Sequence, residues 1–363
     1  MSVIIFIIIL GALIFVHELG HFLVAKKNGI RVDEFAIGFP PTLFSVTRGG
    51  TKYALNLIPF GGYVKIFGEN PDEESLDTTR TDSFVNKSRW VQAAVLIAGV
   101  VFNIIFAWAL FVVILMSGAP TTITDDNVAD IKNPGVVITD TVENSPAAQI
   151  GLMAGDRIVS IANEQEKFEG DTLLVEQVKK IITETDKKIA LNIARGTEMK
   201  YFEVVPVSGI LGDTKALGIS MDRMGELSLP IHLAIFEAAK MTWSGLKMIF
   251  FGLGSLLGSL FSGTGNLNQV SGPVGIVDMV SSAAKFGFAN VLAFTAFLSL
   301  NLAVLNIMPF PALDGGRLLF LAVEGVTRRK IKPTFANAAN TIGFLILILF
   351  MIVVTVHDVW KLF

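Results

Sequence analysis

Cysteine is absent from the 363 residues, which excludes structural disulfides and thiolate metal sites without deciding the compartment. Charge is scarce. Only 17% of the residues are Asp, Glu, Lys or Arg and 52% are hydrophobic; soluble domains carry roughly 25% charged residues, so the composition predicts a multi-pass membrane protein with one polar insertion. An excess of positive charge is missing too. The 29 Lys and Arg against 32 Asp and Glu leave a net charge of −3, and no glycine or aromatic interleaving of an RNA-binding kind accompanies them, which excludes nucleic acid as a partner. The first apolar run lacks a basic segment before it and a small-x-small cleavage site, and so reads as a retained span rather than a secretory signal.

Long apolar runs are what the chain has instead. About 20 such residues cross the hydrocarbon core, and four segments qualify: the run containing Val3 to Val16, then Trp90 to Ser117, Val291 to Met308 and Ala336 to Trp360. Basic residues set the orientation. Lys26, Lys27, Arg31, Arg48, Lys52, Lys65, Arg80, Lys87 and Arg89 follow the first span, and Arg317, Arg328, Arg329, Lys330 and Lys332 separate the last two. Both groups are expected on the cytoplasmic side, with both chain ends outside. Pro230 to Phe261 is also apolar, but Gly252, Gly254, Ser255, Gly258 and Ser259 weaken it as a fifth span, and a fifth crossing would carry Arg328 to Lys332 outside. It is expected to be an amphipathic helix in the outer interface, followed by a loop through Ser271-Gly-Pro-Val-Gly275.

Between the first two spans, Ile30 to Phe67 reads as a small membrane-associated β-sheet. Short apolar runs at Val32 to Phe39, Leu43 to Val46, Tyr53 to Ile58 and Tyr63 to Phe67 are broken by Gly38 to Pro41, Gly49-Gly50 and Pro59 to Gly62. Glu69 to Asp82, with the acidic Asp72-Glu-Glu74 run, reads as a solvated loop. Residues 121–223 have a soluble composition, with strands at Gly135 to Ile138 and Lys188 to Ile193 and a helix near Leu173 to Ile182. They form an inserted α+β domain. The domain plan is thus 1–118, 121–223, 226–285 and 286–363, in an α-helical membrane protein with four transmembrane helices.

His17-Glu-Leu-Gly-His21 lies inside the first span, where ionisable residues are expensive. Two imidazoles four residues apart share one helical face and offer a zinc ion two ligands; Glu18 can reach the attacking water as general base. From Lys26, His21 is about 8 Å and His17 about 14 Å down the helix, at 1.5 Å per residue. A third ligand is needed. Asp314 is the acid best placed for it, in Asn306-Ile-Met-Pro-Phe-Pro-Ala-Leu-Asp-Gly-Gly316 directly after the third span, where Pro309 and Pro311 end the helix and Gly315-Gly316 permit a turn. By itself it reads better as an ordinary turn acid before Gly-Gly, and its pairing with the helix motif reverses that. Asn301 is equally interhelical hydrogen-bond glue, a reading that fits Asn306 less well. His357 with Asp358 reads as an interfacial pair, His232 as structural, and Glu324 as solvating its loop.

Two resemblances sharpen this. Val142-Glu-Asn-Ser-Pro-Ala-Ala-Gln-Ile-Gly-Leu152 followed by Gly155-Asp-Arg-Ile158 resembles a PDZ domain, which implies capture of an extended peptide or C-terminus as an added strand. The histidine motif in a first span, that insertion after the second, and Asn306-x-x-Pro-x-Pro-x-Leu-Asp-Gly at the end of the third together resemble the site-2 protease family of intramembrane zinc proteases, in its RseP-like bacterial branch. The likeness covers the whole chain. It implies Zn²⁺ on His17, His21 and Asp314, Glu18 as base, Asn306 and Asn301 on the substrate backbone, and pairing of the substrate with the β region containing Tyr63. It further implies a plasma-membrane enzyme with its active site toward the cytoplasm, its PDZ domain outside, and substrates such as anti-sigma factors and remnant signal peptides. A catalytically silent PDZ scaffold and a metal transporter are the competing functions.

Overall fold

The computed structural model describes residues 2–69, 77, 79–123, 131–142, 144–170, 172–196, 198–211, 214–262 and 271–360. The Asp72 to Glu74 run lies outside them. Two compact units result, one of Met1–Val112 with Ile235–Phe363 and one of Val113–Ala234.

The first unit opens with α1 (Ser2–Lys27), the strands β1 (Val32–Arg48) and β2 (Thr51–Ile66), and α2 (Arg89–Ser117). The second unit contributes β3 (Ala119–Thr122), β4 (Ile131–Thr141), α3 (Pro146–Gln149), β5 (Arg157–Ala162), β6 (Lys167–Glu169) and α4 (Val175–Glu184). It continues with β7 (Ile189–Arg195), β8 (Glu198–Val204), β9 (Val207–Leu211), β10 (Thr214–Ala216) and β11 (Ile219–Leu227). The chain then returns through α5 (Ile231–Phe261), α6 (Pro273–Lys285), α7 (Phe288–Ile307), α8 (Asp314–Thr327) and α9 (Pro333–Trp360).

Four helices, α1, α2, α7 and α9, are long and apolar enough to cross a membrane. Their packing rests on small residues and on two apolar clusters. A Cβ on Gly20 would lie 2.5 Å from the Ala98 carbonyl oxygen, so α1 and α2 touch backbone to backbone there. Phe6, Ile9 and Leu13 of α1 meet Val280 of α6 and Leu298 and Leu302 of α7 on one side of this crossing. Ala25, Ile30, Val32, Ile66, Val95, Leu96 and Leu321 close the other side. The histidine pair lies between the two clusters.

The β region forms a sheet through non-local pairing. Phe35 faces both Val64 and Tyr53, and Ala36 faces both Tyr63 and Ala54, so residues 34–37 of β1 lie between the two ends of β2. The breaks expected at Gly38 to Pro41 and Pro59 to Gly62 are register irregularities inside β1 and β2 rather than strand ends. Beyond them the sheet is a hairpin whose Leu43, Phe44 and Leu57 are exposed. Residues 62–65 pair with β1 alone, which leaves a free sheet edge among the described residues.

In the second unit the strands run in the order β3-β11-β4-β5-β7-β8, with β6 paired to β5. Their inner faces and α4 bury Val136, Ile138, Ile158, Ile161, Val178, Ile181, Leu191 and Ile193. Asp156 of the Gly-Asp-Arg-Ile stretch is wholly buried and accepts two hydrogen bonds of 2.7 Å from Arg195. That paired geometry satisfies the carboxylate and fixes the turn before β5.

Two acids read as solvent or interface groups are built into the fold. Asp358 is 6% exposed, and its Oδ2 accepts from Gly272 N at 2.8 Å and Gly275 N at 2.9 Å. It caps α6 from the far end of α9, a role a carboxylate fills by satisfying amides that have no partner within their own helix. Glu324 accepts from Ile331 N at 2.8 Å and closes the turn after α8. Little of α9 is buried inside the protein, so the Asp358 anchor matters. Asp358→Ala is expected to lower stability by about 1–3 kcal/mol through the buried amides it leaves open, read as a lower unfolding midpoint in detergent; an unchanged midpoint would make the cap energetically idle.

Candidate metal centre

α1 projects His17 and His21 from one face, and the start of α8 brings a carboxylate to them. His17 Nε2 lies 3.1 Å from Asp314 Oδ2, His21 Nε2 lies 3.3 Å from the same oxygen, and the two Nε2 atoms are 3.2 Å apart. A tetrahedral zinc with bonds of about 2.0 Å has ligand–ligand edges of about 3.3 Å. The donor set is the His-His-Asp group expected for such an ion, and the triangle has the size of one tetrahedral face.

The backbone around these side chains is shaped for them. Asp314 opens α8, whose amino-terminal amides favour a negative charge. Gly315 and Gly316 are therefore helical, and the turn expected at them comes earlier, at residues 308–313. What they supply is clearance: a Cβ on Gly315 would lie 2.2 Å from the Met308 carbonyl oxygen, and one on Gly316 2.3 Å from that of Phe310. Burial opposes the Asp314 charge, but the two imidazoles beside it, His17 and His21, outweigh burial and hold the carboxyl well below the usual carboxylate range.

Two cavities meet at the cluster. The larger, about 460 Å³, is lined by His17, Glu18, Tyr63, Asp314 and Arg317 together with Phe344 of α9. The smaller, about 280 Å³, reaches His17, Glu18 and Asp314 past Leu302 and Asn306 of α7. Glu18 thus lines both without being one of the three clustered groups. Asn306 Nδ2 is 3.4 Å from His17 Nε2. Tyr63 enters the larger cavity from the free sheet edge and stacks on Phe39, ring centres 6.4 Å apart. Asn301 is not brought in: its Nδ2 donates to Phe297 O of its own helix at 2.8 Å, and it lines neither cavity.

Sequence reading passed over three residues here. Glu69, in the turn after β2, forms an ion pair with Arg317, one helical turn beyond Asp314. Burial pushes the Glu69 carboxyl up, against the lowering effect of Arg317. The pair ties the sheet to the helix that carries Asp314. Asn103, fully buried in α2, places Nδ2 3.3 Å from His17 Nδ1. A polar residue in an apolar span was the available signal, the same one that drew attention to Asn301 and Asn306.

The profile of Peptidase family M50 matches residues 5–350. The chain belongs to that family, the site-2 proteases. Relatives extend the likeness over the full length. Regulator of sigma-W protease RasP of Bacillus subtilis is 30% identical over 100% of this chain and 99% of its own length. Zinc metalloprotease RasP of Shouchella clausii is 31% identical over 99% of this chain and 98% of its own. A Clostridium perfringens protein is 35% identical over 99% of this chain and 98% of its own. As a member of M50 the protein is a metalloprotease with helices able to cross a membrane.

Proposed function

We propose that this site-2 protease is a zinc endopeptidase that cuts peptide bonds within or near transmembrane segments, with His17, His21 and Asp314 as zinc ligands and Glu18 as general base. The observation that carries the reading is the 3.1–3.3 Å triangle of two imidazole nitrogens and one carboxylate oxygen, set in a span-length helix beside a carboxylate that is not part of it. Bound zinc polarises the scissile carbonyl and makes water acidic near neutral pH. Glu18 takes the proton of the attacking water and delivers it to the leaving amine. Asn306 Nδ2 donates to the substrate backbone from the smaller cavity.

A transmembrane substrate hides its carbonyls in helical hydrogen bonds and must unwind before attack. The free edge at residues 62–65, with Tyr63 in the larger cavity, supports strand pairing as the means of holding it open. The basic loops of the sequence orient the active site toward the cytoplasm in the plasma membrane. Residues 121–223, an antiparallel sheet with α4 against it, act outside as a PDZ-type domain taking an extended peptide. Substrates are membrane proteins of the anti-sigma factor or remnant signal peptide type, in line with the sigma-W regulator named among the relatives.

The interfacial placement of α5 has support in its contacts. Trp108 Nε1 donates to Ile235 O at 3.1 Å, and a Cβ on Gly245 would lie 2.8 Å from Leu300. Trp108 is about 8 Å along α2 from Asn103, and Leu300 about 9 Å along α7 from Asn306, at 1.5 Å per residue. Both asparagines contact His17, so two points about 15 Å apart on α5 meet their neighbours at similar distances along α2 and α7 from that residue, which supports a helix lying along the membrane. A helix crossing the membrane would change depth between them.

The test is reversible metal removal. In proteoliposomes with a single-span substrate, 1,10-phenanthroline is expected to abolish cleavage and added zinc to restore it, with no zinc flux across the vesicle wall. Cleavage that survives chelation would overturn the reading, and flux without product would favour a transporter. A binder that never cuts would favour the scaffold.

A further inference from the structure

His21 has a visible outer partner. Its Nδ1 lies 2.8 Å from the Val95 carbonyl oxygen; a carbonyl only accepts, so that ring nitrogen carries the proton and Nε2 keeps its lone pair for the metal. His17 must meet the same condition. A ring that ligates through Nε2 is protonated on Nδ1 and needs an acceptor there.

The group facing His17 Nδ1 is the carboxamide of Asn103, fully buried in α2. With Nδ2 toward the ring at 3.3 Å, Asn103 Oδ1 meets no donor among the described residues. A half-turn of the carboxamide exchanges its two ends. It presents the orphaned oxygen to the ring proton.

The surroundings fit this assignment. Val95, Gly99 and Asn103 are spaced four apart on one face of α2. Gly99 leaves the gap: a Cβ there would lie 2.4 Å from His21 Nε2 and 2.6 Å from His17 Cε1. One helix face therefore offers an acceptor, a clearance and a second acceptor to a histidine pair that is itself spaced by four. Ser299 of α7 donates to Asn103 O at 2.8 Å and fixes the asparagine backbone relative to the helix that bears Asn306.

We propose that Asn103 is a positioning residue of the metal centre, whose carboxamide oxygen accepts the Nδ1 proton of His17 and so holds that ring with Nε2 toward His21 and Asp314. This rests on the zinc reading of the site. Asn103 touches neither substrate nor the reacting atoms; it acts through His17.

The experiment measures zinc affinity of the full-length protein in detergent by competition with a chromophoric chelator, without substrate. Asn103→Leu keeps the volume and removes the acceptor, and is expected to weaken binding about 10- to 100-fold, as lost outer-shell partners do. Asn103→Asp restores an acceptor and is expected to bind at least as tightly as the wild type. Unchanged affinity in Asn103→Leu, or equal weakening in both variants, would overturn the proposal. Should Asn103→Leu fail to fold, a tenfold loss in Asn103→Asp overturns it alone. His17→Ala separates the two levels: if it too binds zinc like the wild type, the metal reading fails; if it loses zinc while Asn103→Leu does not, only the role of Asn103 fails.

Discussion

Glu18→Gln is expected to lower kcat for a single-span substrate by at least about 10³-fold while zinc stays bound, within the range for loss of a general base. Glu18 lines both cavities beside His17 and Asp314 yet stands outside the three groups that converge on one point. Glutamine keeps its length and hydrogen-bonding shape and removes only its capacity to take a proton. The measurement pairs cleavage in proteoliposomes with zinc content of the same preparation. Full activity would remove Glu18 from the reaction. Loss of zinc together with activity would make it part of the metal's support rather than the base.

The same substitution separates the competing functions. A scaffold has no use for a base inside a span, where an acidic residue costs roughly 2.5 kcal/mol or more. A transporter would keep its flux in Glu18→Gln, since His17, His21 and Asp314 remain clustered.

What the sequence made legible follows the physics of each signal. Span length and charge scarcity are local, and the four apolar helices lie where those criteria put them. The four-residue spacing of His17 and His21 is also local, because one helical turn decides which side chains share a face. Asp314 was reachable only through its motif, since nothing local tells a ligand from a turn acid. The glycines after it were misread as a turn because clearance from the Met308 and Phe310 carbonyls is a tertiary fact. The sheet itself was legible, but the breaks at Gly38 to Pro41 and Pro59 to Gly62 read as strand ends for the same reason: residues 34–37 take partners from both ends of β2, and pairing at that separation leaves no periodic trace. Asp358 looked like half of an interfacial pair because the amides it caps lie 86 residues away for Gly272 and 83 for Gly275. Asn103 is different. The rule that flags polar residues in spans applied to it as fully as to Asn301, whose carboxamide, among the described residues, bonds its own helix.

Gly99→Ala carries the other large expected effect, and it tests the geometry rather than the chemistry. Alanine is the better helix former by about 1 kcal/mol, so α2 alone would be stabilised by the change. Its methyl carbon, however, would lie 2.4 Å from His21 Nε2, 2.6 Å from His17 Cε1 and 2.8 Å from His17 Nδ1. His21 is held by its bond to the Val95 carbonyl, and α1 meets α2 backbone to backbone at Gly20, so neither ring has room to retreat without leaving the triangle. Displacements of about 1 Å at a reacting centre cost on the order of 10²-fold in rate. Cleavage is therefore expected to fall by at least about that factor, and zinc affinity with it; the overpacking costs about 1–3 kcal/mol and offsets the helix gain, so the unfolding midpoint is not expected to rise. Gly252→Ala in α5, where a Cβ meets nothing within 4 Å, is the matched control and is expected to change neither. If Gly99→Ala bound zinc and cleaved like the wild type, the imidazoles could not be packed against α2 at this distance, and the template formed by Val95, Gly99 and Asn103 would have to be abandoned.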